Sequence, residues 1–166
     1  MNILPIVASV LITVATNTNI LIRENDQILD EAFNQRVETL EAFFEGRNSP
    51  LKEYSKTFVQ VADIYDLDYR LLPSISCMES SCGIHLLPES YNPFGWGIYG
   101  NNAIYFEDYD QAIEIVGKGI KDNYIDKGLD SIEKIAPVYT PPNHVNWLNG
   151  VRHFYNEIDQ AQSTNS

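Results

Sequence analysis

Two long stretches of this chain carry apolar residues at helical spacing, and one stretch between them, residues 84–106, does not. That interruption limits the fold more than any other feature, because it places helices on either side of an irregular lobe. Before it, "DQILDEAFNQRVETLEAFFEG" predicts an amphipathic helix over residues 26–46, with Ile28, Phe33, Val37, Leu40 and Phe44 on one side. Ser49 then caps a second helix with Pro50 in its first position. Its stripe is Leu51, Tyr54, Phe58, Val61 and Tyr65. A third helix begins near Asp68 and ends at Gly83, with Pro73 in or near the first turn, where proline costs no hydrogen bond.

The lobe itself, "LLPESYNPFGWGIYGNNAIYF", predicts loops and a small hairpin, with Ile98-Tyr99 and residues 103–106 flanking "GNN". Helices then resume. Asp108 with Gln111, and Asp130 with Glu133, resemble capping boxes. Pro137 is expected to stop the helix that Asp130 starts, and Asn143 to cap a last one through Trp147, Leu148, Val151, Tyr155 and Ile158. The tail "QAQSTNS" is expected to be disordered. The fold class is mainly α, with an α+β element if the hairpin forms.

The chain has 166 residues, enough for one domain and a terminal segment. With 11 Lys and Arg against 23 Asp and Glu, its formal charge is −12. Such a surface does not suit phosphate backbones, so nucleic acid is set aside as a partner. The apolar run Ile3 to Ala15 is shorter than the ~20 residues that span a bilayer. It fits a signal peptide, with Thr13-Val14-Ala15 as the cleavage site, although no Lys or Arg precedes it. Residues 3–22 taken together read alternatively as a membrane anchor, and a buried strand is a third reading. Export by leader or anchor is the expectation, with a secreted or envelope location. The organisation is then 1–22 leader or anchor, 23–48 N-terminal helix, 49–158 main domain and 159–166 tail.

Cys77 and Cys82 are the two cysteines. Residues five apart point about 140° apart on a helix, so a disulfide requires the helix to end between them. Two buried thiols are the expectation. Cys77, Cys82 and His85 lack the spacing of a zinc site, and no metal or cofactor is implied.

Glu79 is the candidate for chemistry. It follows Leu72 by seven residues and Ile75 by four, which puts it inside the apolar stripe of the third helix. A carboxyl group there is poorly hydrated and keeps its proton to higher pH, as an acid catalyst must. The structural alternative is a glutamate paired with Arg70 or capping a helix end.

"ESSCG" followed by "SYNPFGWG" resembles the glucosaminidase family of bacterial cell-wall hydrolases, a branch of the lysozyme-like superfamily. "DYRLLPSISCMES" is similar to that family's helix before its catalytic glutamate, and "IAPVYTPPN" to its Tyr-x-Pro-Pro segment; the likeness covers residues 50–155. The resemblance implies Glu79 as catalytic acid, with Ser80 and Gly83 in the Glu-Ser-x-x-Gly pattern. It implies a cleft wall at Ser90, Asn92, Phe94 and Gly95, and Tyr139 near the glutamate. Lytic transglycosylases share Glu-Ser-x-x-Gly but continue into Gly-Leu-Met-Gln, where this chain has "NPFGWG".

Tyr91, Phe94, Trp96 and Tyr99 are aromatic faces on which sugar rings could stack. Phe94 reads more simply as the core of the lobe, and Tyr91 and Trp96 as wall. Asn92 either holds the loop or bonds a substrate acetamido group. Candidate substrate-binding residues are therefore Ser80, Tyr91, Asn92, Phe94, Trp96 and Tyr139. Glu89, Glu107 and Asp108 are available as a second carboxylate, but none matches a motif. With one convincing carboxylate, a substrate-assisted route through a 2-acetamido group is preferred. The expected function is hydrolysis of a β-1,4 bond in peptidoglycan or a chitooligosaccharide-like glycan. A transglycosylase or muramidase of the same fold, an inactive wall-binding module, and a structural helical protein are the alternatives.

Overall fold

The helical period of the sequence becomes six α-helices in a computed structural model, which describes residues 4–97 and 104–164. They are α1 (Leu4–Glu45), α2 (Ser55–Tyr65), α3 (Leu71–Ser80), α4 (Tyr109–Asn123), α5 (Ile132–Tyr139) and α6 (His144–Thr164). Short 3₁₀ turns precede α2, follow α4 and precede α6. No strand occurs among the described residues. Residues 98–103 of the expected hairpin lie outside them, and Ile104–Phe106 form no strand. The molecule is thus mainly α.

The chain divides into two units, residues 1–35 and 36–166. In the first, α1 begins at Leu4, so the expected helix at 26–46 is the C-terminal half of a longer one, and the N-terminal strand is not formed. Ile28 and Leu29 are exposed there, and the stripe becomes fully buried only at Leu40 and Phe44, in the second unit. Among the described residues no helix is long and apolar enough to cross a membrane.

In the second unit α3 lies at the centre. Leu71 to Cys77 are all buried, so this helix has no polar face over its first two turns. It packs on α6, where Gly150 admits the Met78 side chain; a Cβ at Gly150 would collide with Met78 Sδ. Helix α2 packs on α4 in the same way, Gly117 making room for Val61. Phe44, Phe58 and Phe94 stack in series, with ring centroids 5.5 and 6.3 Å apart.

Local signals explain most boundaries. Ser49 Oγ accepts from Leu51 N–H at 3.0 Å, but the segment it caps is a 3₁₀ turn, Pro50–Tyr54, before α2 proper. Asp108 caps α4 by accepting from Gln111 N–H at 2.8 Å. Gln111 returns the bond one residue further out, to Glu107 N–H. The second capping box does not form: Ser131 is the N-cap of α5, and Asp130 instead accepts from Lys134 at 2.6 Å. Pro137 lies inside α5 rather than ending it, and Thr140 N–H closes the helix on Ala136 O. Asn143 ends a 3₁₀ turn, and its side chain accepts from Asn146 Nδ2 rather than from a backbone N–H. Helix α6 continues to Thr164, into the segment expected as a tail.

Helix α3 ends at Ser80, three residues earlier than expected. Ser81, Cys82 and Gly83 follow at φ of 52°, 58° and 79°, all left-handed. This turn brings Cys82 back over the last turn of the helix, and Cys77 and Cys82 form a disulfide. The two buried thiols expected from the sequence are corrected accordingly: the helix does end between them.

Candidate active site

Glu79 is the penultimate residue of α3, where the helix leaves the core. The expected placement on a buried stripe is corrected here. The side chain faces solvent, because α3 is buried all round further back and opens only at this end. It opens into a cleft of about 660 Å³, whose floor includes Glu79 and whose walls carry Trp96, Tyr124 and Tyr139. A second recess of about 490 Å³ is also lined by Glu79 and Gly95, together with Ile84, His85 and Leu87. Glu79 therefore lines two recesses.

The carboxyl has one polar partner among the described residues. Trp147 Nε1, on α6, donates to Glu79 Oε1 at 2.9 Å. Burial of the carboxyl by the cleft walls raises its pKa above the usual range, and the indole hydrogen bond opposes that rise. No cation pairs with it among the described residues. Arg70, the partner of the structural alternative, is held by Asp68 at 2.6 Å and Asp159 at 2.8 Å. With Oε1 engaged, Oε2 is the oxygen left to carry the proton. It faces Gly95, whose backbone sits at φ 59°; a Cβ there would lie 3.8 Å from Oε2.

The walls are built from the lobe, α4, α5 and α6. Trp96 is half-buried and rests on α4 at Gly119; a Cβ at that glycine would lie 2.5 Å from Trp96 Cζ2. Tyr139 stacks on Trp147 with centroids 4.9 Å apart and meets Tyr124 at 6.0 Å. Its hydroxyl lies 3.5 Å from Phe94 O. Burial first, and then the Glu79 charge, drive the Tyr139 pKa far above its ordinary value, so the phenol stays neutral.

Two predicted residues turn out to hold the lobe. Asn92 is buried, donates through Nδ2 to Trp96 O at 2.9 Å and Ile104 O at 3.1 Å, and accepts from Trp96 N–H at 3.0 Å. Every polar atom of its amide is used on loop backbone. Ser80, also buried, has Oγ 2.8 Å from the carbonyl oxygens of Ser76 and Pro93 and accepts from Gly83 N–H at 2.9 Å. It ties the end of α3 to the lobe.

The others divide. Phe94 lines the cleft, but its ring is 1% exposed and packs on Phe58. Tyr91 does not line the cleft; it stacks edge-on against Tyr109 at 5.3 Å. Glu89, Glu107 and Asp108 do not line it either, so Glu79 is the one carboxylate among its described lining residues. Sequence reasoning missed Trp147, Tyr124 and Lys127 as residues of the cleft. A signal existed for Trp147: an indole N–H on an otherwise apolar stripe needs an acceptor when buried.

No protein-family model matches the chain, and no curated protein matches it.

Proposed function

We propose that this protein is a peptidoglycan hydrolase, an endo-β-N-acetylglucosaminidase that cleaves a β-1,4 bond with Glu79 as its acid. The observation that carries the proposal is Glu79 itself: a carboxyl of raised pKa, without a cationic partner among the described residues, on the floor of an aromatic-walled cleft. The resemblance of "ESSCG" and "SYNPFGWG" to cell-wall glucosaminidases points the same way. On this reading the lobe at 84–106 and the helices around α3 are the two parts of a lysozyme-like fold.

In the proposed reaction Glu79 Oε2 gives its proton to the glycosidic oxygen as the C1–O bond breaks. The carbonyl oxygen of the substrate's own 2-acetamido group attacks C1 and forms an oxazolinium ring. Water then attacks C1, the oxazolinium C1–O bond breaks to restore the acetamido carbonyl, and the Glu79 carboxylate takes the proton from the water. No second protein carboxylate is required, which fits a cleft whose described lining holds one. Trp147 fixes Oε1 and so aims Oε2. Trp96 and Tyr139 offer faces to sugar rings. Two recesses reach Glu79, and on this reading they hold sugars next to the cut bond.

Export through the run Ile3 to Ala15 belongs to the proposal, and the Cys77–Cys82 disulfide supports it, since such bonds persist in oxidising compartments. Mass spectrometry of fragments released from purified peptidoglycan tests the proposal. A new reducing end on N-acetylglucosamine is expected. An anhydro end would assign the transglycosylase reaction, a muramic acid end the muramidase reaction. Binding to wall without release would leave a wall-binding module.

A further inference from the structure

We infer that Lys127 makes this cleft selective for glycans that carry a carboxylate, and that it pairs with that carboxylate. The inference rests on the hydrolase reading for the position of the glycan, but not for its chemistry.

The chain is strongly acidic, and its few cations are nearly all spent. Of eleven Lys and Arg residues, eight make ion pairs among the described residues. Lys127 makes none among them, although acids stand close in sequence. Asp126 is taken by Lys121 at 3.1 Å, and Asp122 by Lys118. Lys127 is also the one basic residue among the described residues that line the Glu79 cleft.

Its backbone is fixed. The residue closes the 3₁₀ turn Ile125–Lys127, with its N–H donating to Tyr124 O at 3.0 Å. Gly128, at φ 79°, donates to Ile125 O at 2.9 Å, and Leu129 to Tyr124 O at 3.0 Å. The same turn carries Tyr124 into the cleft wall. A cation on a pinned turn, beside aromatic faces and without a partner among the described residues, is arranged for an anion on a saccharide. An ammonium donates up to three hydrogen bonds and accepts none, so a carboxylate suits it and a neutral hydroxyl chain gains little from it.

The test is calorimetric binding at low salt to three probes: a tetrasaccharide of N-acetylglucosamine, the same length with O-lactyl carboxylates on alternate sugars, and that saccharide with short peptides on the lactyl groups. Parent protein should bind a carboxylated probe roughly three- to tenfold more tightly than the neutral one, the range of a charge-assisted pair in a partly open site. Preference for the peptide-free acid assigns the carboxylate to the sugar; preference only for the peptide-bearing probe assigns it to the peptide. Lys127→Met should abolish the preference and leave neutral affinity and melting temperature at parental values, while Lys127→Arg keeps most of it. Absence of preference in the parent, its survival in Lys127→Met, or no binding to any probe overturns the inference. Cleavage of the neutral tetrasaccharide that is lost in Glu79→Gln, with no carboxylate preference, overturns this inference and leaves the hydrolase reading. Carboxylate-selective binding without any cleavage does the reverse.

Discussion

Trp147 and Glu79 lie 68 residues apart in sequence and meet through one hydrogen bond, indole Nε1 to carboxylate Oε1, at 2.9 Å. The bond joins α6 to the end of α3 and decides which oxygen of Glu79 is free. It also holds down a pKa that burial pushes up. Trp147→Phe removes the donor and keeps an aromatic ring. Without the donor the Glu79 pKa should rise further, so its acid form persists to higher pH. The alkaline limb of the pH–rate profile should therefore move up in pH. A pH–rate profile measured on both proteins checks this, and an unmoved limb would contradict the assignment. A stability loss of ~1–2 kcal/mol should accompany the change, because Trp147 is buried.

Asn92 spends its whole amide on the lobe, toward Trp96 and Ile104 backbone. Asn92→Ala leaves those groups to find water or go unpaired, at ~1–3 kcal/mol for each left buried. Melting temperature and saccharide affinity should fall together, since the same bonds set Trp96. Parental affinity in an Asn92→Ala protein with a lowered melting temperature would show that Trp96 does not depend on them.

Phe94 and Trp96 should separate where a reading of the motif alone lumps them. Phe94→Ala empties a fully buried site and should cost ~3–5 kcal/mol. Trp96→Ala should lower saccharide affinity with a smaller drop in melting temperature, because its ring is half-exposed at the cleft. Thermal melts and oligosaccharide titration of the two variants check the contrast.

What was legible before the fold and what was not differ in range. Ser49 and Asp108 cap segments because their side-chain oxygens reach N–H groups two or three residues on, and such bonds are local. The lobe was legible for the same reason, as its prolines and glycines punctuate the chain. The Glu79 neighbourhood was half legible. Its motif marked the residue, but the stripe argument placed it in the core, whereas α3 is buried on all sides and opens only at its end. Trp147 came from 68 residues away, and no local pattern pairs an indole with a carboxylate. Asp130 shows a local pattern overridden: it accepts from Lys134, and Ser131 takes the N-cap position without a side-chain capping bond. The disulfide depended on three successive left-handed residues after Ser80, two of which are not glycine, and such a turn gives little warning in sequence.

That disulfide closes a short loop beside Glu79. By chain entropy it should contribute ~2 kcal/mol. Reduction, or replacement of both cysteines by serine, should lower the melting temperature by roughly 5–10 °C for a unit of this size. Identical melts with and without reductant would contradict the pairing.

The proton on Glu79 also has a stability signature. A carboxyl whose folded pKa is raised binds its proton more tightly folded than unfolded. Its contribution is fully present below the ordinary carboxylate range and is lost as pH rises through the raised value. Glu79→Gln, which does not titrate, should therefore gain stability relative to parent as pH rises from acid to neutral. Urea unfolding at both pH values measures it. A difference between the two proteins that does not change with pH would argue against a raised pKa.

The most direct measurement is turbidity loss of purified peptidoglycan with parent protein and with Glu79→Gln, each first shown to melt at a similar temperature. Gln preserves shape and the acceptor for Trp147, and removes the acid. General acid catalysis contributes ~10²- to 10⁴-fold, so the variant should retain at most about a hundredth of parental activity. A Glu79→Gln protein that clears peptidoglycan at more than about a tenth of the parental rate, or a folded parent that does not clear it at all, would contradict the role given to Glu79.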